Sequence, residues 1–156
     1  MPPPDELIFE TERLWIRQYA DSDADRMYDT LRRWEVSRWL GDAPSVMLAR
    51  DEAVRRIAAW RKLAEANPSQ GIWAIEVGWH LHPDSWGHGY AREAGAAAVS
   101  KGFADGLEEV HAFVRPENKP SVRVCEAIGM EQYRISRDEW YRGEWLQYRI
   151  TRQERP

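Results

Sequence analysis

The 156-residue sequence has a single cysteine, Cys125. An internal disulfide is therefore excluded, and no grouping of cysteine with histidine has zinc-finger spacing. That composition suits a reducing compartment, and the cytoplasm is the expected location. No run approaches the roughly 20 apolar residues that span a bilayer, and Met1-Pro2-Pro3-Pro4 does not read as a signal peptide, so no membrane partner is expected. A basic excess is also lacking. The 22 Lys and Arg stand against 26 Asp and Glu, a net charge of -4 with both signs interspersed, which argues against a nucleic-acid partner. What the chain has in quantity is tryptophan, nine residues spread from Trp15 to Trp145. Packing is their ordinary use, because aromatic rings bury large areas; a Trp-lined sugar-binding cleft is the other.

The length suits one domain over residues 1–156, with 1–8 expected to be extended or disordered. Arg13-Leu14-Trp15-Ile16-Arg17 alternates as a half-buried strand does. Asp21-Ser22-Asp23 supplies capping oxygens for a helix carrying Ala24, Met27, Tyr28 and Leu31 on one face. A second helix is predicted over 47–66, with Ala53, Ile57, Trp60 and Ala64 along one side. Residues 72–82 read as a strand with Val77, Trp79 and Leu81 on one face and Glu76, Gly78, His80 and His82 on the other. An alanine-rich helix over 91–104 and a strand over 110–114 follow. Asn118 then caps a helix running to about Ile128, and Gly129 stops it. Strands over 131–136 and 145–151 complete the chain. This order predicts an α/β (α+β) fold with a mixed, mostly antiparallel central sheet flanked by helices, with parallel neighbours expected where strands and helices alternate.

Between the strand at 72–82 and the helix at 91 lies Trp86-Gly87-His88-Gly89-Tyr90-Ala91. Two glycines at the mouth of a helix can aim several backbone N–H groups at one anion, and the helix end adds about half a positive charge. Such a turn suits a phosphate or pyrophosphate, although the same pattern also serves as a plain tight connection. A dinucleotide fingerprint is excluded, since Arg92 stands where the third glycine belongs, and no Gly-Lys-Ser/Thr follows for a triphosphate loop. Hydrolase readings have no Gly-x-Ser-x-Gly elbow or His-Glu-x-x-His helix to stand on.

These residues resemble the GCN5-related N-acetyltransferase (GNAT) family, in the branch of the ribosomal-protein N-terminal (RimJ/RimL-like) acetyltransferases. The coenzyme loop of that family has the pattern Gln/Arg-x-x-Gly-x-Gly/Ala; here tryptophan heads it, as is common in the branch, and Arg92-Glu93-Ala94 follows. The resemblance extends to Glu12-Arg13-Leu14, to Val77-Gly78-Trp79-His80-Leu81, and to Asn118-Lys119-Pro120-Ser121 leading to Ala127-Ile128-Gly129-Met130. It implies the acyl-CoA N-acyltransferase fold, acetyl-CoA as co-substrate, and transfer of an acetyl group to a primary amine by direct attack. It further implies that main-chain groups near His80, Leu81 and His82 hold the pantetheine arm. The loop from Trp86 through Gly87, His88, Gly89 and Tyr90 to Ala91 would hold the pyrophosphate. Asn118 and Ser121 would lie nearest the thiol.

The same resemblance makes Ser121 the expected proton donor to the departing thiolate, with Tyr141 a weaker candidate. For the base, Glu76 is preferred over His80, Asp84 and Glu144. His80 and His82 share a strand face near His88, but no further ligand has matching spacing, so no metal is expected. Cys125, alone in a helix among small apolar residues, reads as packing rather than as a nucleophile. The acceptor stays open among protein N-termini, polyamines, antibiotics and amino acids, and so does a homodimer. A catalytically silent acyl-CoA-binding or regulatory module is the alternative function.

One departure from the family stands out. Ile75-Glu76-Val77 passes from one predicted strand into the next without a turn, where the family has a further hairpin. Antiparallel neighbours need that turn, so we expect a segment of the natural chain to be absent from this sequence rather than a deletion that fuses two strands.

Overall fold

The computed structural model describes residues 7–41, 43–66, 79–137 and 143–154. The predicted turnless junction at Ile75–Val77, Glu76 and Tyr141 lie outside them. Strands β1 (Leu7–Glu10) and β2 (Trp15–Arg17) form an antiparallel pair. Three helices follow, α1 (Ala24–Leu31), α2 (Trp34–Ser37) and α3 (Arg50–Ala66). The second half contains α4 (Tyr90–Ala104), β3 (Glu109–Val114), α5 (Lys119–Ala127), β4 (Glu131–Ser136) and β5 (Trp145–Thr151). β5 lies between β3 and β4, and both of its pairings are antiparallel.

Two apolar clusters organise these elements. In the first, Met27 and Leu31 of α1 meet Ala53 and Ile57 of α3, with Val36 and Met47, and Trp60 packs against the edge. The helical spacing that marks these positions in the sequence is therefore a true burial pattern, and Ile57 is fully enclosed. Truncating such a side chain to alanine costs about 2–5 kcal/mol. In the second cluster Val99 and Phe103 of α4 and Cys125 of α5 cover Val110, Ala112, Val114, Tyr148 and Ile150 of the sheet. The small residues of α4 serve this contact. A Cβ added at Gly102 would stand 3.1 Å from Leu107 Cδ1, and one at Gly95 would stand 3.4 Å from Ile128 Cδ1.

Three sequence expectations need correction. Leu7–Glu10 forms a strand that the reading from Arg13 onward did not contain. No parallel pairing occurs among the described residues, because β5 returns from beyond β4 and inserts beside β3, making antiparallel bonds on both its edges. Trp79–His82, the described part of the predicted strand 72–82, carries no ladder. Backbone groups form a strand only with a partner strand, and among the described residues none lies beside this segment. Its alternation nonetheless persists. Trp79 packs on the sheet cluster, while His80 approaches Trp60 of the helical one, with ring centroids 6.4 Å apart.

Candidate active site

Segment 79–91 threads between the two clusters and brings most of the predicted residues together. His80, Leu81 and His82 line a cleft of about 200 Å³ with Tyr19, Met27, Thr30 and Leu31. His82 is buried, its Nε2 2.9 Å from Asp29 Oδ2 on α1, while its Nδ1 accepts the Asp84 N–H at 3.2 Å. Nε2 thus holds the segment against α1, while Nδ1 fixes the turn that follows His82. The Leu81 carbonyl accepts the Trp86 indole N–H at 3.0 Å, which folds the head of the glycine loop back onto the segment before it. Asp84 is exposed and 3.9 Å from Arg26, and Glu144 pairs with Arg137 at 3.1 Å.

His80 is less exposed than these carboxylates. Burial, with the charge of Arg56 adding to it, holds its imidazole pKa below the usual value, so the ring is neutral at pH 7. In the unfolded chain the same group takes a proton near pH 6.5. Its contribution to stability is whole above that pH and is lost as the pH falls below it, because protons then favour the unfolded state. We therefore expect the urea midpoint to drop less between pH 7.5 and 5.5 in His80→Gln than in the parent chain. Equal drops in denaturation curves would count against it.

The loop has the geometry its glycines suggest. Gly87 (φ +77°) and Gly89 (φ +79°) both take the left-handed conformation, and a Cβ at Gly87 would meet nothing within 4 Å. Gly89 is the N-cap of α4, with no side-chain cap. The helix's own bonding here begins with the Glu93 N–H donating to Gly89 O at 3.0 Å. The N–H groups of residues 89–92 consequently have no partner within the helix and are available to an anion at this positive helix end.

What braces this loop was quoted in the sequence but not connected there. The β1–β2 turn sends Arg13 across to α4. Its backbone N–H donates to Glu93 Oε1 at 3.0 Å, its Nε to Oε2 at 2.7 Å, and its Nη1 to His88 O at 3.1 Å. Thr11 Oγ1 donates to the same Oε1 at 2.5 Å, and Arg13 also lies over the Tyr90 ring, 5.2 Å from its centroid. Thr11 first, and then Arg13, hold the Glu93 carboxyl below the usual range. The Glu12-Arg13-Leu14 and Arg92-Glu93-Ala94 segments are thus two halves of one contact, a pairing that sequence spacing cannot reveal. Removing it in Arg13→Ala should raise the KM for the coenzyme about three- to tenfold with kcat little changed, since Arg13 is half exposed and solvent weakens the pair. Steady-state kinetics with varied coenzyme measures this.

Beyond Trp79, Asn118 caps α5 by accepting the Ser121 N–H at 3.4 Å. Ser121 Oγ in turn accepts the Trp79 indole N–H at 3.1 Å. The sequence reading places Trp79 on a strand face and in the family-like segment Val77–Leu81, but not among the candidate site residues. Cys125, on the same helix, is fully buried, and desolvation pushes its thiol pKa up to about 12. A thiolate is the nucleophilic form, so Cys125 is packing, as its neighbours in the sequence suggest.

With a glycine anion cradle, a cleft and a capped serine in place, comparison with known proteins becomes decisive. The model of the GNAT acetyltransferase domain matches residues 63–131. An N-acetyltransferase of Bacillus subtilis, YnaD, is 41% identical over 145 residues, taking up 78% of this chain and 81% of its own. The chain belongs to the GNAT acetyltransferase family. Its fold agrees. The microcin C7 self-immunity acetyltransferase MccE, solved with acetyl-CoA and AMP, superposes at TM-score 0.78 and 11% identity, covering 96% of this chain and 98% of that one. RimL, the ribosomal L7/L12 α-N-protein acetyltransferase solved with coenzyme A, superposes at 0.77 and 14% identity, with 94% and 98% covered. This acetyltransferase therefore has the mixed helix and antiparallel-sheet architecture expected of the resemblance. Among its described residues no helix is long and apolar enough to cross a membrane.

Proposed function

We propose that the enzyme transfers the acetyl group of acetyl-CoA to a primary amine, either on a small molecule or at a protein N-terminus, in a ternary complex. The observation that carries this reading is the loop of Gly87 and Gly89 opening α4 with unpaired N–H groups beside the His80–His82 cleft. The acetyl-CoA and coenzyme A complexes of the structural relatives support the choice of donor. Residues 86–91 would hold the pyrophosphate, main-chain groups of 80–82 the pantetheine arm, and Asn118 and Ser121 the region of the thiol.

In the reaction the amine lone pair attacks the thioester carbonyl, forming the C–N bond, and collapse of the oxyanion breaks the C–S bond. Sulfur leaves with the electron pair and is protonated, while the amine gives its proton to a base. Ser121 is our donor to sulfur. We propose Glu76 as the base, with His80 as the alternative that its neutral, cleft-lining imidazole favours. Glu76→Gln and His80→Asn separate the two by which one removes the acid limb of the kcat/KM profile.

Calorimetry with acetyl-CoA, followed by thiol release against an amine panel, tests the whole reading. Micromolar binding with turnover is expected. Binding without turnover on any amine would point instead to a silent acyl-CoA module, and sugar-quenched tryptophan fluorescence without a coenzyme response to a carbohydrate binder. The segment we expect to be absent near 75–77 belongs with this proposal. The YnaD alignment spans 145 positions while taking up 78% of this 156-residue chain, as either an omitted segment or a true deletion would produce. An intact mass of the natural protein near 18.3 kDa would falsify the omission.

A further inference from the structure

We infer that Trp79 is a positioning residue that aims the Ser121 hydroxyl at the departing sulfur. The inference rests on the reading of Ser121 as proton donor and gives it a mechanism. An indole N–H is a donor only. In the 3.1 Å contact Ser121 Oγ must therefore accept, and its own hydrogen points elsewhere. The backbone N–H of Ser121 is already directed to Asn118 Oδ1, and no described residue accepts from the hydroxyl. A serine in the first turn of a helix ordinarily rotates its hydroxyl among nearby backbone acceptors. Here the indole removes that freedom, and a hydroxyl that accepts one bond becomes a better donor in the next.

The indole is packed on two sides of the fold. A Cβ on Gly95 would stand 3.5 Å from its Cζ3 and 3.6 Å from its Cε3, and the side chain also packs against the sheet cluster. Gly95 is buried in the middle of α4, where glycine costs roughly 1 kcal/mol against alanine. A Cβ there would meet the ring at ordinary contact distance, so the indole lies directly against this face of α4. Trp79 thereby connects the helix that carries the anion cradle to the hydroxyl on α5.

The test is a double-mutant cycle on the whole enzyme with acetyl-CoA and a turned-over amine. Trp79→Phe should lower kcat about tenfold and leave the KM for acetyl-CoA within about twofold, and it should have no further effect in a Ser121→Ala background. Unchanged kcat in Ser121→Ala overturns the donor reading and this inference with it. If Ser121→Ala lowers kcat while Trp79→Phe has no effect, or lowers kcat by the same factor in both backgrounds, Ser121 stands and the role of Trp79 is overturned. Should Trp79→Phe fail to fold, benzothienylalanine incorporated at position 79 keeps the ring shape without the N–H and should reproduce the tenfold loss. Full activity with that replacement also overturns the inference.

Discussion

Ser121→Ala should lower kcat by about a hundredfold while changing the KM for acetyl-CoA little. General acids contribute roughly 10²–10⁴ to rate, and the low end applies because a thiolate leaves more readily than an alkoxide or amide nitrogen. The split between the two parameters follows from position. In the proposed binding mode residues 80–82 and 86–91 hold the coenzyme, whereas the hydroxyl would act only when the C–S bond breaks. The backbone of α5 should be undisturbed, since the Asn118 cap uses the Ser121 N–H rather than its side chain. Stopped thiol-release kinetics at saturating amine would show the loss. A large rise in KM with unchanged kcat would instead mean that Ser121 binds the arm and donates no proton.

Gly89→Val should act the other way, weakening acetyl-CoA at least tenfold in calorimetry with a smaller effect on the unfolding temperature. Gly89 sits at φ +79°, and its Cβ position is 3.5 Å from Arg13 Nη2. A β-branched residue there is a genuine conformational outlier, costing of the order of 1–2 kcal/mol or more. The chain's cheapest escape is to move the loop, which turns the N–H groups of residues 89–92 away from a common point and also strains the Arg13 brace. Because the loop residues 86–89 are exposed, little core packing is lost. Binding should therefore suffer more than stability, and an unchanged affinity would mean that the anion is held elsewhere.

Much of this site is legible in the sequence because its elements are local. The glycine turn, the Asn118 cap and the Ala91–Ala104 helix are each decided within a few residues by φ preference, capping and spacing, so they can be read without knowing what lies opposite. β4 and β5 fall where alternation places them, over 131–136 and 145–151. The order of strands within the sheet could not be read, because antiparallel and parallel neighbours present the same alternation until a partner is known. Leu7–Glu10 was missed for the same reason. Its strand character comes from pairing with β2 rather than from its own pattern.

The residues that complete the site lie at long sequence separation. Arg13 meets Glu93 across 80 positions, Trp79 meets Ser121 across 42, and His82 meets Asp29 across 53. No periodicity or motif spacing encodes such pairs, since each depends on how two apolar clusters bring their elements together. The sequence by itself determined a glycine turn opening a helix, an Asn-capped helix carrying Ser121, a lone cysteine suited to packing, and the family. Only the tertiary structure decided that His80 is desolvated, that Arg13 and Thr11 brace the glycine loop through Glu93, and that the Trp79 indole, beside Gly95, donates to Ser121. Burial and three-dimensional neighbours set those properties, and a chain acquires both only when it folds.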